Sequence, residues 1–246
     1  MWSWFKKENT PLLSLTDIDV DMHCHVLPGI DDGARTMDES IAMINKMAEL
    51  GYRKIIATPH IMHEVYPNTP EIIQSKLNEV REEIFRLNIP VELDAAAEYY
   101  LDLNLMDKIK QKQLLTFGKQ MVLVEFGFLA RPTGENELFF ELQANGYQPV
   151  LAHVERYGFL KNSITKIEDF RNKGIFLQLN LLSLTGHYGS EVKKQAERLL
   201  EAELIDFVAS DSHRMQHLQL IEQHLNGKYV QRALQLGLKN KALLTD

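Results

Sequence analysis

Residues 17–25 read Asp-Ile-Asp-Val-Asp-Met-His-Cys-His, a short β-rich run that ends in two histidines two positions apart. Side chains two positions apart on a strand point to the same face, so His23 and His25 can reach one metal ion. Cys24 then points the other way, and we interpret it as a packing residue. By itself, a His-X-His pair is about equally consistent with a structural role and with a metal site.

Short β-rich runs alternate with longer amphipathic segments along the chain, which is the pattern of repeated βα units. The predicted strands are 17–23, 53–59, 91–97, 121–126, 148–153, 175–180 and 204–210. The predicted helices are 36–50, 70–88, 102–113, 135–146, 164–173, 190–203 and 228–238. Seven alternating strands predict an α/β fold with a closed or nearly closed barrel, while an open sheet stays an alternative.

Two of the helix boundaries have local causes. Thr36 can cap the helix at 36–50, with Glu39 three residues later, and Gly51 can end it. Pro70 suits the first turn of the helix at 70–88.

Nearly every predicted strand ends in a side chain that can bind a metal. Ligands of parallel α/β folds bind at the carboxyl ends of the strands, so these side chains should share one site. They are His23, His25, His60, Glu98, Glu125, His153, Asp211 and His213. The turn at residues 29–33 could add a carboxylate. Imidazole and carboxylate donors without thiolate suit manganese, iron, zinc or cobalt.

The remaining candidates have plainer interpretations. Asp31 is interpreted as a turn residue. Solvated or capping roles are predicted for the histidines in loops and helical stretches, which are His63, His187, His217 and His224.

Bulk properties narrow the function. The 246 residues fit one domain, 1–246, with an N-terminal extension at 1–15, and the net charge of −7 argues against general nucleic-acid binding. The single cysteine excludes an intramolecular disulfide and fits a reducing compartment. The N-terminus lacks the order of a secretory signal and no stretch has the length of a membrane span, which predicts a cytoplasmic protein. The aromatic residues at positions 2, 4 and 5 favour packing or fraying over membrane contact.

Several other phosphatase and nucleotide chemistries are excluded by missing motifs. A cysteine-dependent phosphatase needs an arginine six positions after its nucleophile, and that position holds Ile30. Neither a Gly-X-Ser-X-Gly elbow nor a Gly-rich nucleotide loop occurs in the sequence.

The ordered motifs resemble the polymerase and histidinol phosphatase (PHP) superfamily, and more closely its manganese-dependent bacterial protein-tyrosine phosphatases of capsule and exopolysaccharide gene clusters. The matching pieces span roughly residues 17–240. They are Asp-Met-His-Cys-His at 21–25, Asp-Asp-Gly at 31–33, Ala-Thr-Pro-His at 57–60, Ala-Glu-Tyr-Tyr at 97–100, Val-Glu-Phe at 124–126, Ala-His-Val-Glu-Arg-Tyr at 152–157 and Ala-Ser-Asp-Ser-His at 209–213.

The resemblance implies a distorted seven-stranded (β/α)7 barrel that holds two or three divalent ions, with manganese expected. The implied ligands are His23, His25, Asp32, His60, Glu98, Glu125, His153, Asp211 and His213. Of the two acids in the turn, the match selects Asp32. Glu98 would bridge ions, and Arg156 would hold the phosphate.

Two departures from the family pattern concern the phosphate site. Val154 replaces a proline of the family motif, a change that a strand end tolerates. The second family arginine has no exact counterpart, since Arg214 is the nearest substitute and Arg131 has less support. The aromatic residues that follow the ligands could either stack on a substrate ring or pack beneath the loops. They are Tyr99, Tyr100, Phe126, Phe128 and Tyr157.

The implied activity is hydrolysis of phosphotyrosine, with the tail of an autophosphorylating bacterial tyrosine kinase as the implied partner. A histidinol-phosphate or other small-molecule phosphoesterase is the alternative enzyme. A non-catalytic metal-binding module is disfavoured because every expected ligand position is retained. Whether the chain forms a homo-oligomer stays open.

Overall fold

A computed structural model describes residues 12–236 and 238–245. Within these ranges the strands are β1 (Val20–Cys24), β2 (Lys54–Ala57), β3 (His60–Ile61), β4 (Glu92–Ala95), β5 (Glu98–Tyr100), β6 (Met121–Glu125), β7 (Gln148–Leu151), β8 (Phe176–Asn180) and β9 (Phe207–Ala209). The helices are α1 (Met37–Leu50), α2 (Pro70–Arg86), α3 (Leu103–Lys110), α4 (Glu135–Ala144), α5 (Ile164–Asn172), α6 (Leu181–Thr185), α7 (Ser190–Glu201), α8 (Met215–His224) and α9 (Lys228–Gln235). Short 3-10 helices cover Leu15–Asp17, Val154–Arg156, Gly158–Leu160 and Lys239–Leu244.

The strands pair in parallel in two sheets, with the orders β1-β2-β4 and β3-β5-β6-β7-β8-β9. The predicted α/β class is therefore confirmed. The pairing is not one seven-stranded ladder, because β3 and β5, which were not predicted, follow just after the predicted strands 53–59 and 91–97 and lie in the other sheet. One of these breaks has a local cause: Pro59 lacks the N–H that would continue the ladder from β2 into β3.

The two sheets also approach each other where the chain leaves β9. Asp211 N–H donates to the His23 carbonyl at 2.9 Å, and His25 N–H donates to the Ser212 carbonyl at 3.0 Å. These bonds join the end of the six-stranded sheet to β1, the edge of the three-stranded one. The parallel sheets thus curl around a shared interior, with their carboxyl ends at one side.

Apolar packing covers both faces of the central strands, as parallel sheets require. In β6, Val122 and Val124 join the large core cluster, while Leu123 joins a smaller cluster that includes Val20 and Val150. The alternation follows from the two-residue period of a strand.

The helices largely follow the predicted boundaries. Thr36 caps α1 by accepting from Glu39 N–H, Gly51 ends it at φ 107°, and Pro70 opens α2. Two helices were not predicted. The five residues of α6 are too few to show a period, and α8 buries His217, a type of residue that sequence patterns assign to the surface, beside its apolar residues.

The ends of the chain limit two of the predictions. Residues 1–11 of the predicted N-terminal extension lie outside the described residues, and the single-domain boundary of 1–246 stays a prediction. Over 12–236 and 238–245, none of the helices combines the length and apolarity needed to span a membrane.

The turn after β1 is held tightly against the strand. Ala34 N–H donates to the His25 carbonyl at 3.0 Å, and Gly33 N–H donates to Asp31 Oδ1 at 2.9 Å. A Cβ on Gly33 would overlap both the carbonyl oxygen and the Cβ of His25. Glycine at this position therefore lets the turn bring its two acids back over the strand end.

We expect Gly33→Ala to lower the free energy of unfolding by about 1–3 kcal/mol, the usual range for overpacking, and to weaken metal binding. Urea unfolding and manganese titration measure the two effects. Gly146→Ala is the control, because its site at φ 88° is strained but has open space around the Cβ and lies far along the chain from the turn. The control should lose stability and keep its metal affinity. Unchanged unfolding of Gly33→Ala would contradict the packing argument.

Candidate metal centre

The side chains predicted as metal ligands converge at the carboxyl ends of the strands. Three groups have ligand atoms that lie within 4.8 Å of one another. These groups are His25–Asp32–His60–His213, His23–His25–Glu98 and His60–Glu98–Glu125. His153 and Asp211 adjoin the same groups, so the structure brings all nine residues together. Their role as ligands stays a prediction.

Glu98 occupies the middle of the cluster. Its Oε2 lies 3.3 Å from His23 Nε2, 3.5 Å from His25 Nε2 and 3.1 Å from His60 Nδ1. Its Oε1 lies 3.0 Å from His153 Nε2. A carboxylate with imidazoles on both oxygens has the geometry expected of a residue that bridges two ions.

The two acids of the turn occupy different positions. Asp32 is exposed, and its Oδ1 lies 3.5 Å from His60 Nε2 and 3.4 Å from His213 Nε2. The Asp31 side chain is instead inaccessible to water, and its Oδ2 accepts from His25 Nδ1 at 2.8 Å and from His60 N–H at 3.2 Å. Asp31 is therefore more than a turn residue, because it orients His25. Sequence spacing alone did not reveal this contact.

The charges of the cluster reinforce one another. Burial by itself would lower the pKa of His23, but the carboxylates of Glu98 and Asp211 raise it to about 9. Burial opposes ionisation of Glu98 and Asp211 as well, yet the neighbouring imidazolium groups hold both pKa values well below the usual range. Buried acids that stay ionised need positive partners, which protons or metal cations can supply.

The donor atoms fit divalent cations. Glu98 Oε2 and His60 Nδ1 are buried and have no hydrogen-bond partner, although each faces oppositely polarised atoms. An unsatisfied buried polar atom is costly unless an ion or water completes it. Imidazoles and carboxylates are also the ligands that manganese, iron and zinc share. Cys24 is buried outside these groups and packs in the core, as predicted.

Two of the clustered residues have left-handed backbones. His153 has φ 31° and Asp211 has φ 50°, a region that non-glycine residues occupy rarely. Each lies two residues after the end of a strand, where the turn brings its side chain into the cluster. Strained conformations of this kind concentrate at functional sites.

Arg156 lies between two aromatic rings beside the cluster. Its guanidinium carbon is 4.4 Å from the Phe128 ring centre and 4.1 Å from that of Tyr188, and Nη1 lies 3.0 Å from Asp211 Oδ2. The stacking and the ion pair hold the planar group at the edge of the metal ligands.

The other arginines differ in position. Arg214 lines the same cleft, whereas Arg131 pairs with Glu135 and does not line it. Arg35 also lines the cleft, paired with Glu39, and was missed because no motif marks it.

The cleft above the cluster has a volume of about 1350 Å³. Among the predicted stacking residues, Tyr99, Phe126 and Tyr157 are buried and pack beneath the loops. Phe126 also borders the cleft, together with Tyr100 and Phe128 and with two tyrosines outside the predicted stacking set, Tyr66 and Tyr188.

The histidines outside the cluster follow the prediction with one correction. His224 caps the end of α8 through the Leu220 carbonyl, and His63 and His187 are exposed. His217 is buried rather than solvated, and its Nδ1 accepts the backbone N–H of His213 at 3.3 Å. Burial and the charge of His213 lower the pKa of His217 to about 4, so it stays neutral and can accept this bond.

Residues 19–235 match the sequence model of the family described as capsular polysaccharide synthesis, CpsB/CapC. The chain belongs to this family. Tyrosine-protein phosphatase YwqE of Bacillus subtilis (strain 168) is 34% identical over 197 residues, which are 80% of this chain and 78% of YwqE. The putative tyrosine-protein phosphatase CapC of Staphylococcus aureus is 30% identical over 195 residues, which are 79% and 76% of the two chains.

Solved structures give the same placement. One match is a crystal structure reported for YwqE from Bacillus subtilis and CpsB from Streptococcus pneumoniae, which are described as metal-dependent tyrosine phosphatases. It aligns with TM-score 0.82 and 32% identity, covering 92% of this chain and 94% of that one. Histidinol phosphate phosphatase of Lactococcus lactis matches with TM-score 0.55 at 14% identity, covering 89% and 94% of the two chains. The second likeness shows a shared fold. The family resemblance seen in the sequence is thus confirmed.

Metal binding should release protons. Because the pKa of His23 is raised to about 9 in the absence of cations, its imidazole is protonated at pH 7.5 and must lose that proton before it can ligate. We expect manganese affinity to rise with pH up to about 9. Calorimetric titration in buffers of different ionisation enthalpy measures the release, with His63→Gln as the unchanged control. Equal heats in all buffers would contradict the prediction.

Proposed function

We propose that this chain is a metal-dependent protein-tyrosine phosphatase. The observation that carries the proposal is the buried His, Asp and Glu cluster around Glu98 beside Arg156, in a chain whose relatives are named tyrosine-protein phosphatases. Hydrolysis of a phosphoric monoester needs positive charge at the phosphate and an activated water, and both fit such a cluster.

The proposed ligands are the nine clustered residues, holding two or three divalent ions, with manganese as the expected metal. Bound ions supply Lewis-acid polarisation of the phosphate and a water that is nucleophilic near neutral pH. The chain's own part is to fix the donors: Glu98 would offer its two oxygens to the ions, and Asp31 orients His25.

Arg156 is the proposed phosphate-binding residue. Its planar guanidinium can offer two parallel N–H groups to the non-bridging oxygens, and the Phe128 and Tyr188 rings keep that plane fixed. Arg214 is the proposed second phosphate contact, because it lines the cleft while Arg131 does not.

The substrate is proposed to be the tyrosine-phosphorylated tail of a bacterial kinase in the cytoplasm. A cleft with exposed aromatic edges from Tyr66, Tyr100 and Phe128 suits a phenyl ring. The phenolate that departs has a conjugate-acid pKa of roughly 10 and needs little protonation.

We also interpret the curled sheets as a distorted seven-stranded barrel, in which β2 with β3 and β4 with β5 each count as one strand.

A small amine substrate fits the cleft less well. Among the described residues that line it, Glu39 is the acid outside the proposed ligand set, and Arg35 already pairs with it. An ammonium group such as that of histidinol phosphate would therefore lack a free carboxylate.

The first test is hydrolysis of a phosphotyrosyl peptide by metal-stripped protein, with and without manganese. We expect activity to require the metal and to disappear in His153→Ala, which removes a donor next to Glu98. Arg156→Ala should lower kcat/KM about 10²- to 10³-fold, the usual loss of one transition-state donor. Arg131→Ala is the matched arginine control and should keep full activity.

The other outcomes separate the alternatives. If histidinol phosphate is hydrolysed faster than the peptide, the substrate is a small phosphoester and not a phosphotyrosyl protein. Metal binding without hydrolysis of either would favour a non-catalytic module.

The ring of Tyr188 should matter more than its hydroxyl. Cation–π contacts contribute about 0.5–2 kcal/mol, so Tyr188→Leu should raise KM for the peptide up to about thirtyfold by releasing Arg156. Tyr188→Phe keeps the ring and is the control. Steady-state kinetics of the two variants measures the difference, and equal KM values would refute the positioning role.

A further inference from the structure

The strand β8 contributes none of the nine clustered residues, yet two of its buried side chains contact three of them. Gln178 and Asn180 are both fully buried and lie two positions apart on this strand, so their side chains are on the same face. Neither was singled out from the sequence, because amides do not mark a metal site.

The hydrogen bonds of Gln178 define the orientation of its side-chain amide. Its Oε1 accepts from His153 N–H at 2.9 Å and lies 3.1 Å from His23 Nδ1, while its Nε2 donates to Asn180 Oδ1 at 2.8 Å. The His153 N–H can only donate, so the atom of Gln178 that it contacts is the amide oxygen, and the NH2 group of Gln178 faces Asn180. His23 Nδ1 must therefore carry a proton to bond with that oxygen.

Asn180 continues the chain to a third residue. Because its Oδ1 accepts from Gln178, its Nδ2 faces Asp211 and donates to Oδ2 at 2.6 Å. Its backbone N–H donates to Glu155 Oε1 at 3.0 Å, which keeps the residue in place.

We propose that Gln178 and Asn180 form an amide relay that positions the metal ligands. The relay fixes the Nδ1–H tautomer of His23, so that Nε2 faces the cluster with a free lone pair, and it orients Asp211 and the strained turn at His153. Outer hydrogen-bond partners of this kind set ligand basicity and orientation in metal sites. The proposal rests on the metal site proposed above and adds two positioning residues to it.

Manganese titration of stripped protein tests the relay directly. Gln178→Met removes the acceptor, and we expect about 10- to 100-fold weaker binding. Gln178→Glu keeps the acceptor for His23 and His153 but loses the donor to Asn180, and should restore part of the affinity. Asn240→Leu is the control for losing a buried amide, since Asn240 bonds the backbones of Val20 and Val208 and touches none of the ligands. It should lose stability and keep its affinity.

Nitrogen-15 spectra of the zinc-loaded protein give a readout that general destabilisation would not produce. The His23 Nδ1 proton should exchange slowly in the parent protein and in Gln178→Glu, and rapidly in Gln178→Met. If the parent protein bound no metal, the proposed function would fail together with the relay. If it binds metal and Gln178→Met binds equally tightly with a slow Nδ1 proton, the relay alone is wrong.

Discussion

Burial of the Glu98 carboxylate is the constraint on which the site depends. The side chain is almost inaccessible to water and is surrounded by four imidazoles from three chain segments. An ionised acid in such surroundings is stable only while positive charge stays within a few ångströms. Strands from both sheets end near Glu98, and their ends supply the surrounding imidazoles. The buried charge is therefore stable only because the sheets curl towards each other.

The rest of the structure can be understood as support for that charge. Gly33 lets the first turn fold back on His25, Asp31 fixes the His25 ring, and the left-handed residues His153 and Asp211 bring their side chains into the cluster. Each device sits at a strand end rather than in the core. The apolar packing can therefore tolerate change more readily than these few contacts.

The sequence was informative wherever a periodic pattern or a motif marked the residue. The parallel strands, the caps of α1 and the convergence of eight of the nine side chains followed from alternation, capping residues and strand ends, whereas the ninth, Asp32, was selected by the family resemblance. The strand breaks and α6 did not, because a missing N–H and a five-residue helix leave no periodic signal, and α8 did not because the polar His217 is one of its buried residues. Asp31, His217, Gln178 and Tyr188 also escaped, since their roles depend on which distant segments meet them, and spacing along the chain carries no such information.

The stacking of Arg156 has a consequence for how this scaffold can diverge. Phe128 follows β6, whereas Tyr188 precedes α7, so the two rings belong to loops about sixty positions apart. A change of length or residue type in one loop would remove a wall that the other loop alone cannot replace. New substrate preferences on this framework should therefore arise through joint replacement of both loops, and natural variation at these two positions should be correlated.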